Sequence, residues 1–283
     1  MSRKTSPNNA RNKSRNKSRI NRLRPLAGLL AAGLSLPGLA AAQSKEFPTY
    51  FTGPQPNGSW VVSSGQVLTP AGIQVDLGNQ VRAKAIAVNP NIRTHTAAVL
   101  TLGAAEAVEI FDTNTGVVEQ NYITFGTDSS GSYSGIAYSA DGKHLVFSQD
   151  SSNVTIANVN AQGLLSDNAQ VSVAPNNSFI ACFPNSPPAS YGNPPHSVVI
   201  DSKGTTAYVS NEGGRAATEA DFQIWSAGTE IVADPVVGAA ITGTVSVVDL
   251  SSMTVTANIS TGGLHPTGLA FYGRYLLVAN TYS

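Results

Sequence analysis

Between Arg82 and Asn280 the chain is a succession of short runs in which apolar and polar residues exchange places about every second position. Val108-Glu109-Ile110-Phe111-Asp112 and Val245-Ser246-Val247-Val248-Asp249 are two of them. A period of two puts successive side chains on opposite faces of a strand, whereas an amphipathic helix repeats every three to four residues. The runs are short and are bounded by Gly, Asn, Asp and Pro, so the pattern predicts strands joined by tight turns. No stretch holds helical periodicity beyond two turns; Ala216–Phe222 is the best candidate for a short helix.

The runs repeat. A small residue, a large apolar one and a small or β-branched one open each unit: Ala85-Ile86-Ala87, Gly135-Ile136-Ala137, Ser197-Val198-Val199 and Gly268-Leu269-Ala270. A turn follows, at Asn89-Pro90-Asn91, Asp141-Gly142, Lys203-Gly204 and Tyr272-Gly273. A second apolar strand comes next, at Ala97–Leu102, Leu145–Ser148, Ala207–Ser210 and Leu276–Ala279. A third is expected at Val108–Asp112, Val154–Asn158 and Val245–Asp249, and a fourth is clearest at Val117–Thr124 and Val255–Ser260. Each unit is a four-stranded antiparallel meander, which cannot cover both of its faces alone. Packing such sheets face to face around an axis covers them, and the expected fold is an all-β propeller. Small residues on the first strand fit it, because innermost strands converge on the axis.

The units span about 66–126, 127–189 and 190–261, with a half unit at 262–283 and leading strands near Trp60–Val62 and Gln66–Leu77. The propeller is therefore expected to be incomplete, about three and a half blades, and the chain to be the N-terminal portion of a longer protein. The large apolar positions Ile86, Ile136, Val198 and Leu269 lie 50, 62 and 71 residues apart in turn. A plain blade needs about 40–45 residues, so insertions are expected at 176–195 and 212–243. Long loops in a compact domain are commonly functional. The second insertion carries Phe222, Ile224, Trp225 and Ile231 and is expected to fold over one mouth of the ring.

Tyr208-Val209-Ser210-Asn211 and Leu277-Val278-Ala279-Asn280 resemble the name-giving motif of the YVTN-type β-propeller repeat of bacterial extracytoplasmic proteins. The second unit departs from it with Val146-Phe147-Ser148-Gln149. The resemblance covers roughly 66–283. It implies a propeller, and its insertion after the second strand resembles proteins in which such a propeller precedes an alkaline-phosphatase-like phosphoesterase domain. No part of that domain lies in these residues, so no metal site is carried over.

Composition changes the picture at the N-terminus. Residues 1–24 hold nine Lys or Arg and no acid, and an apolar run from Pro25 to Ala42 ends in Ala40-Ala41-Ala42. Basic head, short apolar segment and small residues are the parts of a secretory signal peptide. Pro37-Gly38 interrupts the run, which is too short for a membrane anchor. Cleavage is expected after Ala42, giving a secreted or periplasmic protein with no membrane attachment. The remaining chain holds 8 basic and 17 acidic residues, net −9. Such a surface gains nothing from releasing counterions off a phosphate backbone, so no nucleic-acid partner is expected. The single Cys182 can form no intrachain disulfide and reads as a small buried apolar residue.

Chemistry is sparse. No nucleophile elbow, zinc-protease helix, phosphate loop or Cys/His metal spacing occurs, so no cofactor or metal is expected and the catalytic residues are unknown. His95 and His144 read as solvated. His196 and His265 lie where the chain enters an innermost strand, near a channel mouth, and either a loop hydrogen bond or a ligand contact would suit them. Asn211 and Asn280 end second strands, where Asn caps turns or faces a ligand. Glu212, Arg215, Trp225 and Glu230 in the second insertion are expected to help form a contact surface for a C-terminal domain absent from this chain, or for a protein partner. The functional expectation is a secreted binding or scaffold module, the N-terminal part of a larger protein such as a propeller-linked phosphoesterase. The alternative is a propeller enzyme of lactonase or hydrolase type with a channel-mouth site. The first strands bring few carboxylates for it, only Asp201 following one.

Overall fold

A computed structural model describes residues 51–78, 81–103, 107–123, 131–149, 152–174, 193–213, 217–218, 220–226 and 229–282. All regular structure among them is β. The expected signal peptide, most of the 176–195 insertion, Cys182 and Arg215 lie outside the described residues.

Three short strands lead: β1 (Gly53–Pro54), β2 (Trp60–Val61) and β3 (Val67–Leu68) form a small sheet of their own. The strand expected over Gln66–Leu77 shrinks to those two residues of β3. Two four-stranded sheets follow, each in chain order. The first is β4 (Val81–Val88), β5 (Thr96–Gly103), β6 (Val108–Asp112) and β7 (Val118–Tyr122). The second is β8 (Gly131–Tyr138), β9 (His144–Gln149), β10 (Asn153–Val159) and β11 (Leu165–Ser172). The third sheet is interrupted. β12 (Pro195–Ile200) and β13 (Thr206–Asn211) are followed by a separate hairpin, β14 (Gln223–Ser226) with β15 (Thr229–Val232). The chain then returns to complete the sheet with β16 (Thr244–Asp249) and β17 (Thr254–Ser260). β18 (Leu264–Tyr272) and β19 (Tyr275–Tyr282) pair as a two-stranded sheet. All pairings are antiparallel, the meander that the repeat predicts.

The first strands lie side by side around one axis, β4 against β8, β8 against β12 and β12 against β18. Four-stranded meanders with their first strands innermost are the blades of a β-propeller. Gly135 on β8 shows why small residues stand there. A Cβ at this position would come within 2.7 Å of Val198 Cγ2 on β12.

The core lies between blades. Ala98, Leu100, Val108, Ile110 and Tyr122 of the first blade pack against Leu145, Phe147, Ala157 and Leu165 of the second. Val146, Val154, Ile156, Val171 and Val173 pack on the other side against Val198, Ala207, Val209, Val248 and Leu250 of the third. The second blade is covered on both faces, which is why Leu145-Val146-Phe147 is an unbroken apolar run and all three are buried. Each such side chain contributes about 1.5–3 kcal/mol of transfer free energy. The outer blades are covered on one side only: Ile86 and Val88 on β4 are 60% and 67% exposed, and Leu277 on β19 is 54% exposed.

The helix expected over Ala216–Phe222 does not form in its described part. Thr218 donates through its backbone N–H and Oγ1 to Asp221 Oδ2, at 2.6 and 2.8 Å, and Asp221 N–H returns a bond to Thr218 O. Local side-chain bonding of this kind competes with helix and makes a turn.

Candidate functional site

The site starts from irregularities in the innermost strands. On β12, Pro195 pairs with Asn211 and Ser197 with Ser210, so His196 is an extra residue in the ladder. On β4, Ala83 pairs with Thr101 and Ala85 with Leu100, leaving Lys84 extra. On β18, Pro266 pairs with Asn280 and Gly268 with Ala279, leaving Thr267 extra. Each falls just before the small residue that opens the repeat. A bulge bends its strand and re-aims the extra side chain. On β4, β12 and β18 the fold thus offers one re-aimed side chain at an equivalent position, and the third blade places an imidazole there.

Two further groups meet that imidazole. Glu212 follows β13 directly, in the corner where the insertion leaves the sheet, and its backbone N–H is held by Pro194 O. His265 stands at the start of β18 with φ +52°, a left-handed conformation uncommon outside glycine. His265 Nδ1 lies 3.1 Å from Glu212 Oε1, and His196 Nε2 lies 3.7 Å from Glu212 Oε2. The two imidazole rings approach edge to face at 4.6 Å between centroids. The side chains of His196 and Glu212 are only 6% and 7% exposed, while His265 keeps 20%. The cluster is buried on one side and reachable through His265.

Burial alone would push the Glu212 carboxyl up. The His196 imidazole beside it and hydrogen bonds from His265 and Ser226 outweigh it and hold the group well below the ordinary carboxylate range. Burial is also the largest influence on His196, which it pushes below the ordinary imidazole value; the Glu212 contact opposes that, and the charges of His265 and Lys84 add to the lowering. The two directions describe an ionised carboxylate beside a neutral imidazole.

The β14–β15 hairpin closes one side. Ser226 Oγ donates to Glu212 Oε2 at 2.6 Å, so the insertion is tied to the cluster by its own strand. Trp225 and Glu230 face each other across this hairpin, Trp225 63% exposed and Glu230 buried. The expected contact surface is therefore split: Trp225 presents itself to solvent, Glu230 does not, and Arg215 lies outside the described residues. Asn211 is fully buried and donates through Nδ2 to Ser246 Oγ at 2.8 Å, tying β13 to β16. Asn280 is exposed and covers Gly263, where an added Cβ would meet its amide. Neither Asn joins the cluster. Ser226 and Tyr282, whose ring stands edge-on to His265 at 6.1 Å, do border it. The repeat grammar carries no signal for either, because one lies in the insertion and the other reaches His265 only by strand pairing.

Glu212 gathers two imidazoles around one carboxylate, and one nitrogen or oxygen from each of the three residues lies within 4.8 Å of the others. Such a set can orient an imidazole as a base, hold a polar ligand or take a metal ion. No local metal spacing exists in the chain; the fold assembles this set from residues on separate strands of adjacent blades.

No protein-family model matches the chain and no curated protein does, so the YVTN resemblance rests on its repeat residues. Among solved structures, a protein from Lactobacillus plantarum is 16% identical, with TM-score 0.48, over 78% of this chain and 56% of that one. A periplasmic gluconolactonase of Pseudomonas aeruginosa is 17% identical, with TM-score 0.47, over 78% and 55%. The Pan2 WD40 domain of Neurospora crassa is 14% identical, with TM-score 0.41, over 78% and 52%. The chain spans about half the length of each. The propeller assignment rests on the sheet order and on the adjacency of the first strands.

Proposed function

We propose that this chain is a secreted β-propeller binding module whose ligand site lies at the ring mouth formed by His196, Glu212, His265 and the β14–β15 hairpin. The observation that carries this reading is the buried Glu212 carboxylate held between two imidazoles from different blades. Purely structural polar groups are usually satisfied by local backbone. Here three titratable side chains converge, and the hairpin tied to them through Ser226 also carries an exposed Trp225, a combination typical of recognition sites. The basic, apolar and small-residue order of residues 1–42 supports export and cleavage after Ala42. The exposed apolar side chains on β4 and β19 support a larger assembly, in which further chain or a partner covers them. A propeller-linked phosphoesterase would be one such protein.

The test is thermal-shift screening of the purified chain against sugar acids, sugar lactones and phosphate esters. At least one class should raise Tm, and Glu212→Gln and Trp225→Ala should each abolish the shift. A ligand whose shift survives both substitutions binds elsewhere and removes the site.

A hydrolase of lactonase type is the second reading, favoured by the 3.1 Å contact between His265 Nδ1 and Glu212 Oε1. A carboxylate that holds one imidazole nitrogen leaves the other, Nε2, to act as base. His265 would take a proton from water, the hydroxide would add to the lactone carbonyl, and the ring C–O bond would break. The proton would then return to the leaving alkoxide. Acid release from gluconolactone, followed by pH-stat, should occur with the native chain and not with His265→Asn; equal rates would discard this reading.

A further inference from the structure

We propose that His196, Glu212 and His265 bind one divalent first-row transition ion, zinc foremost, with a coordination position left open toward the mouth of the ring. The proposal rests on the mouth site of the preceding section but concerns the ion alone, so it can be tested without knowing the organic ligand.

Donor chemistry comes first. Two imidazole nitrogens and one carboxylate are a ligand set of catalytic zinc sites and of open facial sites for neighbouring metals. Calcium and magnesium prefer oxygen ligands throughout, and this cluster offers a single carboxylate. Nitrogen donors therefore select the softer ions.

Distances come next. A tetrahedral ion about 2.1 Å from each ligand atom separates those atoms by about 3.4 Å. The observed separations are 3.1 Å for His265 Nδ1 to Glu212 Oε1 and 3.7 Å for His196 Nε2 to Glu212 Oε2, and the set as a whole lies within 4.8 Å. The two contacts reach different oxygens of the carboxylate and bracket the required spacing, while the widest separation in the set must close by up to about 1.4 Å, within the reach of side-chain rotation, for one ion to be held.

The supports are in place as well. His196 is aimed by the β12 bulge, Glu212 is fixed at the end of β13, and His265 is set by the left-handed turn into β18. Ser226 Oγ donates to Glu212 Oε2, the outer hydrogen bond that orients a ligating carboxylate. Lys84, at the equivalent bulge of β4, places a positive charge within electrostatic reach of His196. That charge opposes a bare cation, yet it favours an anionic group on the ion's open position. With three protein ligands, such a position exists, and the partial exposure of His265 marks the side it faces.

The experiment is calorimetric titration of the chelator-stripped full chain with zinc, repeated with cobalt while the visible spectrum is recorded. One ion per chain should bind at micromolar or lower concentration, and cobalt should give the absorption of a four- or five-coordinate site. Glu212→Gln and His265→Asn should each weaken zinc at least about tenfold. Asn accepts the left-handed backbone of position 265, so that variant should keep its fold. Ser226→Ala should weaken zinc by about tenfold through loss of the outer hydrogen bond. Absence of stoichiometric binding, or binding unchanged in His265→Asn and Ser226→Ala, overturns the proposal, including in the case where Glu212→Gln fails to fold. A chain that takes no zinc yet still shows a Tm shift with an organic ligand loses the metal and keeps the binding module. Zinc binding with no organic ligand sinks only the latter.

Discussion

His265 Nδ1 stands 3.1 Å from Glu212 Oε1, joining the first strand of one blade to the corner that follows the second strand of the blade before it. The contact links separate blades through a buried carboxylate. Its removal should weaken the packing between them as well as the site. Glu212→Ala leaves His196, His265 and Ser226 facing a cavity with their acceptor gone. Leaving a buried donor without its acceptor costs about 1–3 kcal/mol, and a loss in that range is expected, His265 contributing least because it keeps access to water. Urea denaturation of the two proteins at neutral pH measures it. A loss below about 1 kcal/mol would mean that the cluster does not hold the blades together.

The second blade is packed on both faces and the first on one. Leu145→Ala and Ile156→Ala, each at a fully buried position, should cost about 2–5 kcal/mol apiece. Ile86→Ala, on the uncovered face of β4, should stay within about 0.5 kcal/mol in the same chain. Denaturant midpoints with unchanged slopes give the comparison. A large effect at Ile86 would show that further chain or a partner covers this face in solution.

Tyr122 Oη donates to Asp167 Oδ1 at 2.5 Å, from the fourth strand of the first blade to the fourth strand of the second. Burial, then the Asp167 hydrogen bond and charge, push the phenol well above its ordinary 10.0. Spectrophotometric titration should show Tyr122→Phe and the native chain forming the same number of phenolates by pH 11. A native chain with one more would place Tyr122 in an ordinary environment. The substitution should also cost about 1.5–3 kcal/mol, the penalty for a lost hydrogen bond to a charged group.

Asp249 closes the turn from β16 to β17. Its Oδ1 accepts from Ser251 Oγ and from the backbone N–H and Oγ of Ser252, with a further bond from Ser251 N–H. The Ser251 hydroxyl is the largest of these influences, and the carboxyl is held down to about 2 from an ordinary 3.8. A depressed carboxyl pKa contributes stability that is whole above the unfolded value and is lost as pH falls through the folded one. The stability difference between native chain and Asp249→Asn should therefore be constant above pH 4 and shrink as pH falls from 3.8 toward 2. A difference that does not change over that window would mean that the turn bonds are absent in solution.

Much of the architecture was legible in the sequence because the information for strands is local. Alternation marks β6, β10 and β16, short apolar runs mark β5, β9 and β13, and Asp141-Gly142 and Lys203-Gly204 mark hairpins; side-chain period and turn chemistry act within a few residues of each other. The apolar run Leu145-Val146-Phe147 likewise announces a strand buried on both faces. Two local readings were overridden. Ala216–Phe222 carries helical spacing, but Asp221 caps Thr218 into a turn. Gln66–Leu77 has apolar content but pairs only through Val67–Leu68.

For the site, the residue pattern supplied the candidates, and the packing of whole sheets chose which of them meet. His196 and His265 were visible at the entry to innermost strands, Asn211 and Asn280 at the ends of second strands, and Glu212, Trp225 and Glu230 in the second insertion. Nothing in their spacing separates the three that meet from the four that do not. Ligand motifs read from sequence depend on one helix or loop fixing the distance between residues, and here no single element does so. The distance from Glu212 to His265 is set by the packing of one blade on the next, and the aim of His196 by a bulge that the alternation does not reveal. Strands follow from forces between near neighbours along the chain, whereas this cluster follows from where whole sheets come to rest.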